Sequence, residues 1–395
     1  MSSLDNELAC ELESRAKHGL TRRLRSLEHP GGCYVYVDGK IVTEFASNNY
    51  LGLAFDPVTS GRVTESDFGS GSTGSRLVTG NYTVHEELEC AIAALKATDA
   101  ALIFPSGYQA AVGTIPALVG RNDLILSDQH NHACLIDGCR LSRATVRVYD
   151  HNEPKHARAL LSDRAQFRRC LIVTDGVFSM DGDIADLPAL ADLRDEFDAW
   201  LMVDDAHGTG VLGETGAGSA EFLGVRDRVD VHMGTMSKAL GCAGGFIAGS
   251  RTLIDHLIGS ARSFMFSTAP APVTSGSAIG AINAIRDMPE RREKVLDNAR
   301  FLRAGLRALG FSVPHGDTPI IPVLIGSAQA AVALADALLD QDIYVVAIRP
   351  PTVPDGTSRL RVTVTALHTR SDLDTCLDAF DVAIRRLGWM PRFAG

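Results

Sequence analysis

Apolar residues recur at every third or fourth position near the start of the chain, where leucine dominates the pattern. This spacing predicts a helix over residues 4–28, which ends at a Pro-Gly-Gly sequence. Two short apolar runs follow at 33–37 and 40–45, and the Asp38-Gly39 pair between them is typical of a β-hairpin. We therefore predict an N-terminal arm, residues 1–46, that consists of a helix and a short hairpin.

Between about residues 84 and 250, short apolar runs alternate with segments of helix length. The runs lie at 100–104, 124–126, 145–149, 171–174, 201–203, 231–233 and 246–248. Runs that are mostly apolar, spaced by helices, predict strands that are buried on both faces, as in a mostly parallel sheet covered by helices on both sides. The fold class predicted here is α/β, with a large domain over residues 47–288.

The pattern changes after a long helical stretch at 270–307, which is interrupted at Pro289. Beyond this stretch we predict strands at 320–325, 344–347 and 359–364 and helices at 328–339 and 373–387. This mixture predicts a smaller C-terminal α+β domain over residues 289–395.

Composition and charge exclude several classes of protein. The chain is 45% hydrophobic and 22% charged, which is typical of a folded globular protein. Its net charge is −10 and it has no basic run, so nucleic acid is not an expected partner. No segment approaches the ~18 apolar residues that cross a membrane. The eight cysteines form no C-x-x-C pair, so we expect reduced thiols, no metal site and a cytoplasmic location.

Two glycine-rich segments, 69–74 and 208–213, match the pattern G-x-G-x-x-G. A dinucleotide site requires this pattern between a strand and the helix that follows it. The first segment follows an acidic stretch, and the second runs into further glycines that cannot open a helix. A nicotinamide dehydrogenase is therefore disfavoured, and we interpret both segments as tight turns.

Reactive side chains follow two predicted strands of the large domain. Asp204 and His207 come after one strand, and Lys238 comes after the next. Ligands of open α/β sheets bind at the carboxyl ends of strands, so these three residues are expected in one crevice. Of the six lysines, only Lys238 lies at a strand end among serine and glycine. The other five, Lys96 among them, lie in polar or helical segments and are expected at the surface.

This combination of residue types suits pyridoxal phosphate. A lysine shielded from water has a lowered pKa and can react with an aldehyde, while a buried aspartate keeps a pyridine nitrogen protonated. A phosphate site is expected at residues 104–109, where a helix begins after a strand. Further hydroxyl donors could come from Thr235, Ser237, Ser267 and Thr268.

The spacing leaves the role of His132 open. This histidine follows another predicted strand and can either stack on a cofactor ring or cap a helix. Tyr108, at the predicted phosphate site, is a competing candidate for ring stacking.

At these residues the chain resembles the α-oxoamine synthases, a family of pyridoxal-phosphate enzymes with the aspartate aminotransferase fold (fold type I). The resemblance extends from about residue 47 to 368. It rests on motifs at 69–76, 80–89, 177–183 and 203–210 and around Lys238. It implies a large, mostly parallel sheet domain that binds the cofactor and a smaller C-terminal α+β domain.

The resemblance also implies catalytic roles for particular residues. Lys238 would bind the cofactor covalently and then move the Cα proton of the amino-acid substrate. Asp204 would pair with the pyridine nitrogen, and His207 would bind the ring oxygen with Ser179 nearby. His132 would stack on the ring and lie against the substrate, which favours the functional interpretation of this residue.

The remaining implied residues bind the phosphate group or the substrates. The phosphate ligands would be Gly107, Tyr108 and Thr235, with Ser267 or Thr268 contributed by a second subunit. The substrate-binding residues would be Arg361 at the carboxylate, Thr352 and Arg349 along the acyl substrate, and Arg22. Either Thr21 or Arg22 aligns with a substrate-contacting arginine of the family, and we assign that role to Arg22.

Within the family, segments 347–354, 359–361 and 365–368 most resemble enzymes that join L-alanine to a pimeloyl thioester in biotin synthesis. The resemblance implies an acyltransferase that releases carbon dioxide and a free carrier thiol, and a homodimer. The sequence leaves open whether the carrier is coenzyme A or acyl-carrier protein, and which surface forms the dimer. Alternatives are a sibling synthase that uses glycine or serine with another acyl-CoA, an aminotransferase on the same fold, and a non-catalytic partner subunit.

Overall fold

The computed structural model describes residues 2–17, 20–22, 24–59 and 68–388. The chain divides into two compact units. The larger unit consists of Asn48–Ser179 and Asp183–Val295, and the smaller of Met1–Ser47, Met180–Gly182 and Leu296–Gly395. The predicted N-terminal arm therefore belongs to the same unit as the C-terminal segment, and the division falls after residue 295 rather than after 288.

Strands of the described residues form three sheets. In chain order the strands are β1 (Leu27–Gly31), β2 (Tyr34–Val37), β3 (Lys40–Glu44), β4 (Ala100–Phe104), β5 (Leu124–Asp128), β6 (Thr145–Tyr149), β7 (Cys170–Asp175), β8 (Trp200–Asp204), β9 (Val231–Thr235), β10 (Gly245–Gly249), β11 (Ile320–Gly326), β12 (Ile343–Tyr344), β13 (Val346–Ile348) and β14 (Ser358–Thr363).

The α-helices of the same residues vary from one turn to five. In chain order they are α1 (Ser3–Lys17), α2 (Thr83–Lys96), α3 (Gly107–Leu118), α4 (Ala133–Ser142), α5 (Pro154–Ala159), α6 (Leu187–Glu196), α7 (Ser219–Phe222), α8 (Arg251–Ser260), α9 (Arg262–Met265), α10 (Pro272–Asp287), α11 (Glu290–Ala308), α12 (Ala328–Leu339) and α13 (Arg370–Arg386). Short 3-10 helices lie at Leu53–Phe55, Arg164–Gln166 and Arg226–Arg228.

A seven-stranded sheet with the order β4-β10-β9-β8-β7-β5-β6 forms the centre of the larger unit. Its strands are parallel except β10, which runs antiparallel to both neighbours. Successive residues of one strand enter different apolar clusters: Leu171 packs in one and Ile172 in the other. Because strand side chains alternate between faces, both faces of the central strands are buried, as the apolar runs predicted. The edge strand β6 differs, since Tyr149 is its one buried residue.

The smaller unit holds the other two sheets, β1-β2-β3-β12 and β11-β14-β13. Strand β12 pairs with β3 in parallel, which explains why the N-terminal segment joins the C-terminal part of the chain. The prediction of a single strand at 344–347 was wrong, because Tyr344 and Val346 belong to two strands in different sheets. The long helix predicted after residue 270 is present as α10 and α11, which are interrupted near Pro289 as expected.

The helix predicted over residues 4–28 was wrong for 20–22 and 24–28, while residues 18, 19 and 23 lie outside the described residues. Helix α1 buries none of its residues, so its leucine pattern is not matched by a core within this unit. Leu27 instead begins strand β1 and packs against a small cluster formed by Val35, Val37 and Val42. Tertiary packing, not helical spacing, therefore determines the structure of this segment.

Three further properties of the described residues bear on function. No helix there combines the length and hydropathy needed to span a membrane. No group of three or more His, Cys, Asp or Glu side chains there is placed to hold a metal ion. All eight cysteines lie in the described ranges, and none forms a disulfide.

Candidate active site

A cavity of about 230 Å³ opens at the carboxyl ends of the parallel strands of the larger unit. Eight residues of the sequence-predicted site line it: Gly107, Tyr108, His132, Ser179, Asp204, His207, Thr235 and Lys238. They meet because the carboxyl ends of parallel strands lie along one edge of a sheet. A second cavity of about 500 Å³ lies at the opposite ends of β8 and β9 and contains none of these residues, so volume alone does not identify the site.

Asp204 is the last residue of the buried strand β8 and is 4% exposed. Its Oδ1 accepts a hydrogen bond of 3.0 Å from the backbone N–H of Ala206, and its Oδ2 lies 3.8 Å from Sγ of Cys134. Burial raises the pKa of Asp204, and the positive charge of Lys238 opposes that shift. A buried carboxylate on the wall of a cavity is suited to pair with a cationic ring nitrogen.

Asp175 lies beside Asp204, because β7 and β8 place the two residues opposite each other in register. Its Oδ2 accepts a hydrogen bond of 3.0 Å from the backbone N–H of His132. Burial raises the pKa of Asp175 well above its usual value, and the charge of Asp204 adds to this shift. The cavity therefore contains two buried carboxylates, of which sequence reasoning had selected one.

His132 is the N-cap residue of α4, so the capping interpretation holds structurally while the side chain also lines the cavity. Its Nδ1 accepts the backbone N–H of Cys134 at 3.3 Å. A neutral ring that accepts at Nδ1 carries its proton on Nε2. Desolvation and the charge of Lys238 lower the pKa of His132, while Asp204 opposes this effect, so the neutral ring is favoured.

His207 lies in the turn after β8 and is 7% exposed. Its Nδ1 is 2.6 Å from Oη of Tyr50, a residue that is fully buried. The two rings are tilted, with their centroids 6.0 Å apart. Tyr50 therefore fixes one edge of the His207 ring.

Lys238 is half-buried in the turn between β9 and β10. Its backbone carbonyl accepts a hydrogen bond of 2.9 Å from the N–H of Gly241. Gly241 has φ of 67°, and a Cβ there would lie 2.4 Å from the backbone nitrogen of Ala54. Only glycine fits this tight turn, which holds the lysine backbone at the cavity.

The start of α3 provides donors suited to a phosphate group. Ser106 caps this helix, because its Oγ accepts the N–H of Gln109 at 3.2 Å, and Gly107 is the first helical residue. A Cβ at Gly245 would lie 2.5 Å from the backbone nitrogen of Gly107, so glycine permits the close approach of β10. The free N–H groups of a helix N-terminus and its positive dipole end favour an anion.

Hydroxyl groups add to this end of the cavity. Oγ1 of Thr235 donates to the carbonyl of Gly244 at 2.8 Å and lies 2.7 Å from Oγ of Ser237. Tyr108 directs its hydroxyl to Asp137 at 2.5 Å, while its ring lines the cavity. These backbone amides and hydroxyls fit the phosphate of pyridoxal phosphate, and the buried carboxylates of the same cavity fit its cationic ring.

Two predicted phosphate ligands do not line the cavity. Ser267 and Thr268 are absent from its wall, although Oγ of Ser267 lies 3.4 Å from Nε2 of Gln109 in the same chain. Their assignment as ligands contributed by a second subunit stays a prediction.

Of the five predicted substrate-binding residues, His132 lines the cavity and the other four belong to the smaller unit. Nη2 of Arg22 donates to Oγ1 of Thr352 at 3.0 Å, so two of them are in contact. Arg349 donates to the backbone carbonyl of Thr21 at 2.8 Å. Arg361 is 8% exposed on β14, the central strand of its sheet.

Comparison with known families agrees with this geometry. Residues 40–380 match the family model of aminotransferase class I and II. The chain belongs to the aminotransferase class I and II family. The predicted fold class and family resemblance are therefore confirmed.

Two relatives and one solved structure show which enzymes this chain is similar to. The 8-amino-7-oxononanoate synthase of Lysinibacillus sphaericus is 45% identical, over 96% of this chain and 98% of its own length. That of Geotalea daltonii is 47% identical over the same shares. A solved structure of serine palmitoyltransferase with a PLP internal aldimine is 30% identical, with a TM-score of 0.91 over 99% of this chain and 100% of that chain.

Sequence reasoning missed several residues of this aminotransferase-family site. Asp175 directly follows a predicted strand, as Asp204 does, and that shared position was the signal that could have found it. Tyr50 lies in a segment of the family resemblance but was given no role. Lys96 was expected at the surface, which is wrong, because it is 1% exposed and its Nζ lies 3.1 Å from Oδ2 of Asp205.

Proposed function

We propose that the protein catalyses the pyridoxal-phosphate-dependent condensation of L-alanine with a pimeloyl thioester. The products would be 8-amino-7-oxononanoate, carbon dioxide and the free carrier thiol, in biotin biosynthesis. The observation that carries this proposal is the meeting of Lys238 and Asp204 in one cavity of a chain of this family. The substrate pair follows from relatives named 8-amino-7-oxononanoate synthase at 45% and 47% identity.

Pyridoxal phosphate, when bound, supplies an electron-poor ring that stabilises negative charge on the Cα of an amino acid. The residues of the cavity would hold it at three points. Asp204 would keep the pyridine nitrogen protonated, since burial makes a carboxylate without a neighbouring cation unfavourable there. The start of α3 and Thr235 would bind the phosphate, and His207 and Ser179 would donate hydrogen bonds at the ring oxygen.

Lys238 is the residue that binds the cofactor and moves protons. Its amine, on the wall of the cavity, would take the Cα proton of alanine as a general base. The new carbon–carbon bond then joins that Cα to the thioester carbonyl carbon, and the carbon–sulfur bond breaks to release the thiol. The carboxylate of the alanine leaves as carbon dioxide, and Lys238 returns a proton to the same carbon.

Residues of the smaller unit are proposed to contact the substrates. Arg361 would bind the substrate carboxylate, and Arg349 and Thr352 would lie along the acyl chain. Arg22 would make a further contact to the substrate. The hydrogen bond between Arg22 and Thr352 supports a shared role for these two residues. Because guanidinium groups bind carboxylates through two parallel hydrogen bonds, arginine is the residue type that suits this task.

A homodimer is part of the proposal. Leu77, Val78 and Phe266 are 50%, 76% and 68% exposed in the larger unit. Their segments are neighbours, because the N–H of Ala269 donates to the carbonyl of Gly74 at 3.0 Å. Apolar patches of this kind mark protein interfaces, and a second copy of the chain is the occupant that the family resemblance implies.

We also propose that the enzyme acts in the cytoplasm. None of the eight cysteines forms a disulfide, and several of them are buried. This number of cysteines without a disulfide is typical of proteins kept in a reducing compartment.

The decisive experiment supplies purified protein with pyridoxal phosphate, L-alanine and pimeloyl thioesters of either carrier, and identifies the product by mass. We expect 8-amino-7-oxononanoate and one free thiol per product. A product formed only from glycine or serine with another acyl-CoA would instead establish a sibling synthase. Amino-group transfer without any acyl donor would establish an aminotransferase.

A further inference from the structure

Lys96 is a fully buried lysine in the larger unit, at the end of helix α2. Its Nζ lies 3.1 Å from Oδ2 of Asp205, 2.8 Å from Oγ1 of Thr209 and 2.5 Å from the carbonyl oxygen of Ala217. An ammonium group has three hydrogens, so these three acceptors account for its full hydrogen-bonding capacity. All three acceptors belong to the segment that follows strand β8.

Asp205 is the centre of this arrangement and is 2% exposed. Both carboxylate oxygens accept the backbone N–H of Ser219 at 3.1 Å. Its own N–H donates to the carbonyl of Met233 at 2.8 Å, which continues the pairing of β8 with β9 past Asp204. One side chain therefore connects both ends of the segment 205–219.

Three glycines surround the carboxylate of Asp205. A Cβ at Gly218 would lie 1.5 Å from Oδ2, a Cβ at Gly208 would lie 2.1 Å from Oδ1, and a Cβ at Gly176 would lie 2.8 Å from Oδ1. Any larger residue at these positions would occupy the space of the carboxylate. The glycine-rich segment that matched a nucleotide-binding pattern therefore folds around a buried ion pair.

We propose that Lys96 is a positioning residue for the active site, acting through Asp205, an inference that rests on the proposed function. Asp205 immediately follows Asp204 and lies two residues before His207. The N–H of Thr209 donates to the carbonyl of Asp205 at 2.9 Å, which closes a turn around His207. Lys96 balances the charge of Asp205 and thereby keeps Asp204 and His207 directed into the cavity.

The physical reason is the cost of an unpaired buried charge. Without Lys96, the carboxylate of Asp205 must either take up a proton or turn toward water. Either change loosens the contacts to Thr209 and Ala217 that hold the turn. Outer partners that orient metal-binding side chains are worth about 10–100-fold in affinity, and we expect an effect of that order on cofactor binding.

The test is Lys96→Met, which keeps the length of the side chain and removes its charge. In the cofactor-free protein, we expect hydrogen exchange of the backbone amides of residues 205–219 to accelerate by about tenfold or more. We expect the dissociation constant for pyridoxal phosphate, measured by visible absorbance, to rise by about 10–100-fold. The exchange measurement needs neither cofactor nor substrate.

Asp123→Asn is the matched control, because Asp123 is fully buried and paired with Arg168 before strand β5. It should lower the unfolding temperature while leaving the exchange of residues 205–219 and the cofactor affinity unchanged. If Lys96→Met fails to fold, the double variant Lys96→Met/Asp205→Asn removes both charges and should fold. This variant should still show rapid exchange and weak cofactor binding, because Thr209 and Ala217 lack their donor.

A variant that unfolds at a lower temperature but keeps wild-type exchange in 205–219 and wild-type cofactor affinity would overturn the inference and leave Lys96 a purely structural residue. A wild-type protein that does not bind pyridoxal phosphate would instead overturn the proposed function. In that case the exchange experiment would still decide whether Lys96 fixes the turn.

Discussion

The seven-stranded sheet has two edges formed by strand ends, one where the parallel strands begin and one where they end. The buried carboxylates at these two edges have different partners and opposite pKa shifts. Before β5, Asp123 accepts two hydrogen bonds from Arg168, at 2.9 and 2.8 Å, and these lower its pKa. At the carboxyl ends, Asp175 and Asp204 are similarly buried but are bonded to backbone N–H groups, and burial raises their pKa. At the first edge an arginine of the protein neutralises the carboxylate charge. At the second edge the carboxylates favour a positively charged ligand.

This difference separates stability from function within one sheet. A buried carboxylate bonded to arginine contributes to folding, while a buried carboxylate with a raised pKa is unfavourable until a cation binds next to it. Perturbed acids that line a cavity are a common property of catalytic sites. Substitutions at each edge of the sheet test whether the two groups of carboxylates differ in this way.

Lys238→Ala is expected to have the largest effect, a complete loss of turnover. The variant lacks the amine that binds the cofactor covalently, so borohydride reduction should attach no pyridoxal label to the protein. Mass spectrometry of the reduced protein measures this directly. Lys155→Ala, in the exposed part of α5, is the control and should keep both activity and label. A fully active Lys238→Ala protein would refute the proposed role.

Asp204→Asn and Asp123→Asn form a matched pair at the two edges. The first should lower kcat by about 10²-fold or more, because a neutral amide cannot stabilise a charged ring nitrogen. It should not destabilise the fold, because the carboxylate that it removes is unfavourably buried. The second should lower the free energy of unfolding by about 1–3 kcal/mol, because the bonds to Arg168 weaken, and leave kcat nearly unchanged.

Steady-state kinetics and urea unfolding of both proteins measure the two effects. Equal losses of stability in the two variants would show that the edges do not differ in the way described, and the comparison would fail.

The fold was largely predictable because its signal is local. Strand β4 is an unbroken apolar run, and its burial on both faces follows from residue type alone. The errors arose where partners distant in sequence decide the structure. Leu27 became part of a strand because β2 lies beside it, and β12 is a separate strand because it pairs with β3.

The site was predictable as far as it depends on strand ends. Asp204, His207 and Lys238 follow strands, and the sheet brings them together. Lys96 could not be found in this way, because its partner Asp205 lies 109 residues later and a lysine at a helix end is ordinarily solvated. Burial of a charge depends on the complete tertiary structure, which no local pattern records.

His151 shows that one buried carboxylate at the carboxyl edge does have a cationic partner. Its ring nitrogens lie 3.0 Å from Oδ1 of Asp128 and 3.0 Å from Oδ2 of Asp183. Burial disfavours the charged ring, but the bonds to both carboxylates outweigh it and raise the pKa of His151 to about 10. Asp128 at the end of β5 is thus matched by a cation, unlike Asp175.

The sign of the pH effect follows from this raised pKa. The folded state holds the proton more tightly than an unfolded chain, whose histidine has an ordinary pKa of about 6.5. The stabilisation is therefore complete below about pH 6.5 and is lost as the pH rises toward 10, by at most about 1.4 kcal/mol per pH unit. Urea unfolding of wild type and His151→Gln between pH 6 and 10 measures it. Identical slopes for the two proteins would contradict the assignment.

Tyr50→Phe is expected to have the smallest effect and tests how the carboxyl edge is held in place. The change removes the hydroxyl that lies 2.6 Å from Nδ1 of His207 and keeps the buried ring. One hydrogen bond is worth about 1 kcal/mol, so kcat should fall about fivefold if this bond orients His207. Tyr36→Phe, at an exposed tyrosine of the smaller unit, should leave kcat unchanged. An unchanged kcat in Tyr50→Phe would mean that the turn centred on Asp205 positions His207 without help from Tyr50.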